Sequence, residues 1–290
     1  MKKLASIYLS AVCIACTSSE ESVVVFGALN AGDQVSCGIR ASSGEVACWG
    51  RDSEGQASAP RGTAFSQVSV GAAGNACGIE ADAGPVHCWG IDGLRAPDAG
   101  FSDVVVGGGF ACGITASDAE VVCWGRELQG ESSPPGVSFA AVAAGHEHVC
   151  GIVASDSTGR CWGATGAGQT AAPAGVELVA ITAGASYACG VRASDATLVC
   201  WGSPFYGKTT PPEGVAVSTV SAGRDHACAV RMADAGIQCW GNDDHGQASP
   251  PDGSFLAVSA GSYHTCAIHV SGRAECWGNP SHGALELPGT

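Results

Sequence analysis

Fourteen of the sixteen cysteines form seven regularly spaced pairs, and paired thiols can form disulfides or hold a metal. Within a pair the separation is eleven residues six times and ten residues once. In a β-hairpin the odd spacing places the two residues opposite each other across a two- or four-residue loop, and the even spacing across a three-residue loop. Opposed residues have Cα atoms about 4.5 Å apart, which suits a disulfide. The pairs are Cys37/Cys48, Cys77/Cys88, Cys112/Cys123, Cys150/Cys161, Cys189/Cys200, Cys228/Cys239 and Cys266/Cys276.

Metal binding is the alternative for these thiols. Structural zinc sites favour C-x2-C spacing, which none of the fourteen shows, and two thiols per unit leave a metal short of ligands. The spacing therefore predicts seven disulfides, one across each hairpin, and no metal site.

A second chemically interesting group lies just before the first cysteine of each pair. In six units a glycine stands five residues before that cysteine, and the residues between them differ from unit to unit. A loop that is repeated seven times must lie at one end of a repeat structure, and variable loops on a rigid frame are where binding residues concentrate. We expect protein-binding residues here, namely Asp33, Phe110, His146, Glu147, Tyr187, Arg224, Asp225 and Tyr263.

The histidines of these loops allow other interpretations. His148, His226 and His264 occupy the same position, two residues before the first cysteine, which favours packing or pinning of the loop. His146 and His148 share one face of an extended chain, so they could bind a metal together with His226 or His264, although no H-x-x-x-H spacing supports this.

An enzyme that used this end of the molecule would need titratable groups with perturbed pKa values in one pocket. The candidates for such a cluster are His146, Glu147, Arg224, Asp225 and His226. The sequence has no G-x-S-x-G elbow, no H-E-x-x-H motif and no phosphate-binding P-loop. No catalytic residue, cofactor or metal is therefore predicted.

The elements that position these residues repeat seven times along the chain. The first cysteines lie 40, 35, 38, 39, 39 and 38 residues apart, and each second cysteine is followed by Trp and Gly. A period of about 40 residues is typical of four-stranded propeller blades. Short apolar runs such as VSTVSAG and IQCWG, interrupted by Gly, Pro, Asp and Ser, indicate strands and turns rather than helices. The sequence predicts an all-β fold, a seven-bladed β-propeller over residues 22–290 with one cross-strand disulfide per blade.

The phrase AGxxHxCAVxxxxxGxxCWGxxxxGQxxxP resembles the repeat of the regulator of chromosome condensation family of seven-bladed propellers. Residues 222–251 and 260–283 fit it best, and the resemblance extends over all seven units. Its Gly-Gln-x-x-x-Pro part, at Gly55-Gln56, Gly168-Gln169 and Gly246-Gln247, is also similar to that of the secreted β-lactamase inhibitory propellers of type II. This resemblance implies a non-enzymatic exported propeller that blocks a protein partner through one face.

The N-terminus indicates export. Residues 1–16, MKKLASIYLSAVCIAC, combine two lysines, a short apolar core and small residues, as a secretory signal does. The Cys13–Cys16 segment resembles a bacterial lipobox, which implies a lipid on Cys16 and, with Thr17 next, the outer membrane. Plain secretion or a periplasmic location is the alternative. Residues 17–22, TSSEES, form a polar tether.

The formal net charge of −14 argues against nucleic acid as a partner. We expect a monomer that meets the membrane only through its lipid anchor. The predicted function is an exported protein-binding module, an envelope lipoprotein that recognises a protein through the loop end of the propeller. The alternatives are a structural envelope component without a tight ligand, and an enzyme or lyase that uses the end of the channel.

Overall fold

A computed structural model describes residues 24–82, 84–91, 94–127 and 129–288. The predicted signal peptide, Cys16 and the tether lie outside the described residues. Seven antiparallel sheets of three strands follow one another along the chain, each in the order first, second, third strand. Among the described residues no helix has the length and apolar character needed to cross a bilayer.

The strands, blade by blade, are β1 Phe26–Ala31, β2 Val35–Arg40 and β3 Val46–Gly50; β4 Phe65–Val70, β5 Ala76–Glu80 and β6 Val86–Trp89; β7 Phe101–Val106, β8 Phe110–Thr115 and β9 Val121–Gly125; β10 Phe139–Ala144, β11 His148–Val153 and β12 Gly159–Gly163; β13 Leu178–Ala183, β14 Tyr187–Arg192 and β15 Leu198–Gly202; β16 Val217–Ala222, β17 His226–Arg231 and β18 Ile237–Gly241; β19 Phe255–Ala260, β20 His264–His269 and β21 Ala274–Gly278. Short 3-10 turns, Phe205–Gly207 and Ser281–Gly283, follow β15 and β21.

The first strand of each sheet touches the first strands of its two neighbours, so these seven strands surround the central channel. The ring closes where β1 packs on β19 and β20. Val25 forms a bridge with Arg273, and the Ser262 N–H donates to the Gly32 carbonyl at 2.8 Å. Closure thus uses contacts between the first and last blades, and the predicted seven-bladed propeller is confirmed.

The blades have three strands rather than the four that are typical of this period. After the third strand the chain passes through segments such as QASPPDGS (247–254) before the next blade begins. Proline lacks the N–H that an outer strand would donate, and it is confined to edges and turns. These segments therefore cross the side of the blade without pairing along it.

The disulfides join the second and third strands as the hairpin spacing predicts. Cys228 pairs with Cys239 in register, and Cys266 with Cys276, with Cα atoms 4.0 Å apart in each pair. Gly272 closes the three-residue loop of the last pair with φ of +83°, in the left-handed region that suits glycine.

The five earlier blades carry the same cross-strand bond, and their cysteines are directly opposed in the strand register as well. These bonds are Cys37–Cys48, Cys77–Cys88, Cys112–Cys123, Cys150–Cys161 and Cys189–Cys200. The first cysteine of every pair is buried and the second is half-buried. The prediction of one disulfide per blade is therefore confirmed for all fourteen cysteines.

Five of the seven regularly spaced tryptophans hydrogen-bond to the preceding blade. The Trp277 indole N–H donates to the Gln247 carbonyl at 3.1 Å, and Trp240 donates to the Lys208 carbonyl at 2.9 Å. The Gln247 side chain is 1% exposed and accepts the His245 N–H at 2.8 Å. The Gly-Gln phrase therefore fixes the outer loop that receives the tryptophan of the next blade.

Candidate functional site

The seven turns between first and second strands gather at one end of the propeller, which we call the loop face. Residues from all seven blades line a cavity of about 160 Å³ at the mouth of the channel there. The glycines that precede these turns pack against one another. A Cβ on Gly223 would lie 2.2 Å from the Gly261 carbonyl oxygen, and a Cβ on Gly261 would lie 2.4 Å from that of Gly32. Only glycine permits this close approach of neighbouring backbones.

In the second unit the glycine, Gly71, stands six rather than five residues before its cysteine, Cys77, and the extra residue is accommodated inside the turn. The Gly32 N–H donates to the carbonyl three residues ahead, on Val35, whereas the Gly71 N–H donates to the carbonyl four residues ahead, on Asn75. Gly71 keeps its place in the ring, 2.3 Å from the Gly107 oxygen when a Cβ is added. The longer turn therefore changes the surface of the loop face and leaves the frame intact.

The position two residues before the first cysteine is buried between blades. His226 lies 2.8 Å from the Thr265 hydroxyl of the next blade, and His264 lies 2.7 Å from the Ser36 hydroxyl. This is the packing role that the sequence favoured for the histidines. The role of partner contact expected for Phe110 and Tyr187 is wrong, because their side chains are 1% and 0% exposed.

Burial also sets the charge of these groups. It lowers the pKa of His148, His226 and His264 to about 4, since a charged imidazole would lose its hydration. Burial likewise raises the pKa of Tyr187, whose hydroxyl donates to the His226 carbonyl at 2.6 Å. These perturbed groups belong to the contacts between blades and do not form a pocket of exposed acids and bases. Within the described ranges no cluster of three or more His, Cys, Asp or Glu residues could hold a metal.

The other six predicted residues lie at the surface of the loop face. His146 and Arg224 are exposed, and the remaining four are partly exposed: Asp33, Glu147, Asp225 and Tyr263. The Arg224 guanidinium lies over the Tyr263 ring, 5.5 Å from its centroid, and the His245 ring stands edge-on to Tyr263 at 5.8 Å. Blades 6 and 7 thus join their side chains into one aromatic and cationic cluster.

A buried lysine fixes the base of this cluster. Lys208, the one lysine after Lys3, is 2% exposed, and its ammonium lies 2.5 Å from the Asp225 carboxylate and 3.3 Å from the Ser186 hydroxyl. A buried charge requires such a partner. The second carboxylate oxygen of Asp225 lies 3.6 Å from the Arg224 guanidinium. Lys208 therefore holds Asp225 in place, and Asp225 positions Arg224.

Sequence reasoning missed an exposed aromatic pair in the turn that also carries Lys208, the partner of Asp225. Phe205 and Tyr206 are 74% and 62% exposed, in the turn that follows the third strand of blade 5. This turn belongs to the loop face, because the Ser203 N–H donates to the Ser186 carbonyl at 2.9 Å. The sequence does contain a signal for this pair. Blade 7 has the polar residues Ser281-His282 at the same repeat positions, so the two aromatics of blade 5 depart from the repeat. We define the blade 5–7 patch as these two aromatics together with Arg224, Asp225, His245 and Tyr263.

A comparison with protein-family models supports the resemblance to this repeat in the last two blades. The model of the regulator of chromosome condensation (RCC1) repeat matches residues 217–247 and 255–284. No curated protein matches the chain in sequence.

Solved structures share the architecture. The entire ectodomain of the Physcomitrella patens receptor kinase CR4 is 24% identical, with a TM-score of 0.77 over 89% of this chain and 75% of that chain. The CRINKLY WD40 ectodomain of the Arabidopsis thaliana receptor kinase ACR4 is 24% identical, with a TM-score of 0.74 over 87% and 94%. Yeast RCC1 (Prp20), solved bound to Kap60, is 15% identical, with a TM-score of 0.56 over 90% and 73%. The chain is thus a disulfide-bonded, seven-bladed β-propeller, and its last two blades match the repeat of the regulator of chromosome condensation.

Proposed function

We propose that the protein is an exported protein-binding module that captures a protein partner through the blade 5–7 patch. The observation that carries this proposal is the exposed Phe205-Tyr206 pair, in the turn whose Lys208 bonds to Asp225, on the same face as the Arg224–Tyr263 stack. Tyr, Trp and Arg dominate binding energy at protein interfaces, and most of the surface of Phe205 and Tyr206 is exposed to solvent rather than packed on blade 5.

The support of the patch is rigid, which favours binding. Lys208 fixes Asp225 through a buried ion pair, and the disulfide Cys228–Cys239 ties the strands below it. A surface that is ordered before binding loses less conformational entropy when a partner arrives. The yeast RCC1 structure bound to Kap60 supports protein recognition as a use of this fold.

Seven disulfides support a location outside the reducing cytosol, because such bonds persist mainly in oxidising compartments. We propose further that a lipid on Cys16 anchors the protein at the outer membrane. Intact mass of the protein recovered from membranes tests this directly, since an acylated Cys16 adds the mass of its chains. A protein that stays soluble and unacylated would contradict the anchor and leave the binding module untouched.

The binding test uses a swap between equivalent turns. The double substitution F205S/Y206H gives blade 5 the Ser-His pair that blade 7 carries in the same type of turn. The immobilised wild-type protein is incubated with envelope and secreted fractions, and the retained protein is identified and its Kd measured. We expect the variant to bind that protein at least about 30-fold more weakly, the loss of roughly 2 kcal/mol that is typical of a hot spot.

Two controls complete the test. Arg224→Ala should also weaken binding, because it removes the stack on Tyr263. Val179→Ser, an exposed change on the opposite end of blade 5, should leave Kd unchanged. Equal binding by the wild type, F205S/Y206H and R224A would overturn the choice of this patch.

A further inference from the structure

The end of the propeller opposite the loop face has its own asymmetry. We call it the hairpin face, because it carries the turns between second and third strands. Two surface positions recur there in every blade, the second residue of the first strand and the first residue of the hairpin turn. Blades 1–4 have only Gly, Ser or Ala at these positions, namely Gly27, Ala41, Ser66, Ala81, Ser102, Ala116, Ala140 and Ala154.

In each of the last three blades a large apolar side chain replaces at least one of these small residues, while Ala193 and Ser218 remain small. Val179 is 65% exposed in blade 5 and Met232 is 61% exposed in blade 6. Blade 7 is apolar at both positions, with Leu256 61% and Val270 60% exposed. The repeat frame does not need these side chains, because four other blades form the same turns without them.

The N-terminal segment reaches the propeller beside the two apolar residues of blade 7. The Val25 carbonyl accepts the Ala41 N–H at 2.9 Å, and the Phe26 N–H donates to the Gly272 carbonyl at 3.0 Å. Gly272 belongs to the same hairpin turn as Val270, and Val25 itself is 41% exposed. Val25, Leu256 and Val270 thus form what we call the apolar strip, at the border of blades 7 and 1.

Charge distinguishes this border from the rest of the hairpin face. An exposed aspartate stands in the hairpin turn of each of blades 2–6, namely Asp82, Asp118, Asp156, Asp195 and Asp234. The turns of blades 1 and 7, ASSG and VSG, contain no carboxylate; the first is flanked by Arg40 and Glu45, and the second by His269 and Arg273. The acidic residues nearest to the strip in sequence are Glu21, four residues before Val25, and Asp252, four residues before Leu256. Among the hairpin turns, those at this border suit a lipid surface, because burying an exposed carboxylate there would be costly.

We propose that the apolar strip rests on the lipid surface to which the chain is anchored, so that the hairpin face is directed toward the membrane and the loop face away from it. This inference rests on the proposed lipid at Cys16. The residues between Cys16 and Val25 span at most about 3.6 Å each when fully extended, so the border of blades 7 and 1 stays within about 30 Å of the anchor. A tether of this length gives a weak apolar contact a high effective concentration of lipid.

The test replaces the lipid by a defined anchor, so that it works whether or not Cys16 is acylated. The mature chain from residue 17, with an N-terminal hexahistidine, is bound to phosphatidylcholine vesicles that contain a nickel-chelating lipid. A polarity-sensitive dye is attached through an azido-phenylalanine at Ala41, next to the strip, or at Ala154, the equivalent turn position of blade 4. Lipids that carry a doxyl quencher report which dye meets the membrane.

We expect the dye at Ala41 to be quenched several-fold more strongly than the dye at Ala154. The double substitution L256S/V270A introduces the residue types that blades 2 and 3 carry, and it should reduce quenching at Ala41 to the level at Ala154. Both changes are at exposed positions, and an unchanged midpoint of urea unfolding will show that the propeller is folded. Equal quenching at the two positions, or full quenching at Ala41 in the variant, would overturn the proposal.

Sedimentation without vesicles tests whether a second copy of the chain, rather than lipid, covers the apolar strip. A dimer that L256S/V270A abolishes would identify the strip as an interface between copies and would also overturn the proposal. A wild-type protein that remains monomeric, together with quenching at Ala41, supports contact with lipid. Mass measurement of Cys16 and loop-face binding test the proposed function separately from these outcomes.

Discussion

Lowering the pH from 7 to 5 should cost the folded protein about 6 kcal/mol through His148, His226 and His264 alone. Burial lowers the pKa of each imidazole from 6.5 to about 4. Between these values the unfolded chain binds more protons than the folded protein, so stability is complete above pH 6.5 and is lost as the pH falls toward 4. Each histidine then contributes a loss of about 2 kcal/mol over this range, since one pH unit corresponds to about 1.4 kcal/mol.

His148 offers the cleanest substitution. Neither of its ring nitrogens makes a hydrogen bond of good geometry, and the Tyr187 backbone offsets the effect of burial only in part. Blade 3 has the buried Phe110 at the equivalent position. His148→Phe should therefore lose about 4 rather than 6 kcal/mol between pH 7 and 5, because one titrating group is removed.

The assay is urea unfolding with the disulfides intact, followed by tryptophan fluorescence at several pH values between 5 and 7.5. Any strain from the larger ring lowers the free energy of unfolding equally at every pH. Loss of the titrating imidazole instead changes the slope of that free energy against pH. His282→Asn alters an exposed histidine at a left-handed position that asparagine tolerates, and should follow the wild type. If the free energy of unfolding changed with pH in the same way for His148→Phe and the wild type, the assignment of a buried neutral imidazole to His148 would be refuted.

Three further substitutions test the frame in the same unfolding assay at pH 7. Ala188→Ser should stabilise the protein by about 1 kcal/mol, because it would give the buried His148 a hydroxyl partner that it lacks. Ala188 is equivalent to Thr265 and Ser36, whose hydroxyls lie within hydrogen-bond distance of His226 and His264. No gain in stability would contradict this pairing. Gly223→Ala should cost about 1–3 kcal/mol through its clash with the next blade, whereas Gly166→Ala, which meets open space, should stay within about 0.5 kcal/mol of the wild type; equal effects would argue against the glycine ring. Ala235→Gly should stabilise the protein by about 0.5–1 kcal/mol, since Ala235 has φ of +58° and glycine adopts this conformation without strain; a loss of stability would show that its methyl group packs usefully.

The disulfide-bonded hairpins could be predicted because their geometry is local. A spacing of eleven or ten residues allows only certain loops, and the register of Cys228 with Cys239 and of Cys266 with Cys276 follows from counting. The repeat then multiplies this unit seven times. The number of strands in each blade could not be predicted in the same way. The proline-containing segments after the third strands recur with the same period as the blades but do not pair as strands.

Burial at the interfaces between blades could not be predicted from one unit. Phe110 and Tyr187 resemble the exposed anchors of a binding loop in sequence, but their depth depends on the neighbouring blade. Tyr187 reaches the His226 carbonyl 39 residues along the chain. The ion pair of Lys208 with Asp225 likewise joins two units. Its effect on Arg224 therefore cannot be inferred from the sequence of either unit alone.

The frame of the repeat accounts for most side chains, and function has to be sought where a unit departs from it. Cysteine, tryptophan and the ring glycines pack in the same way in nearly every blade, and buried histidines do so in blades 4, 6 and 7. Lys208 in place of the glutamine of blades 1, 4 and 6, and Phe205-Tyr206 in place of smaller or polar turn residues, are departures on the loop face. Leu256 and Val270 in place of serine and alanine are departures on the hairpin face. All of them fall in blades 5–7, at positions that other blades fill with smaller or polar residues without loss of the fold. Stability therefore does not explain them, whereas the proposed contacts with a protein on one face and with lipid on the other would.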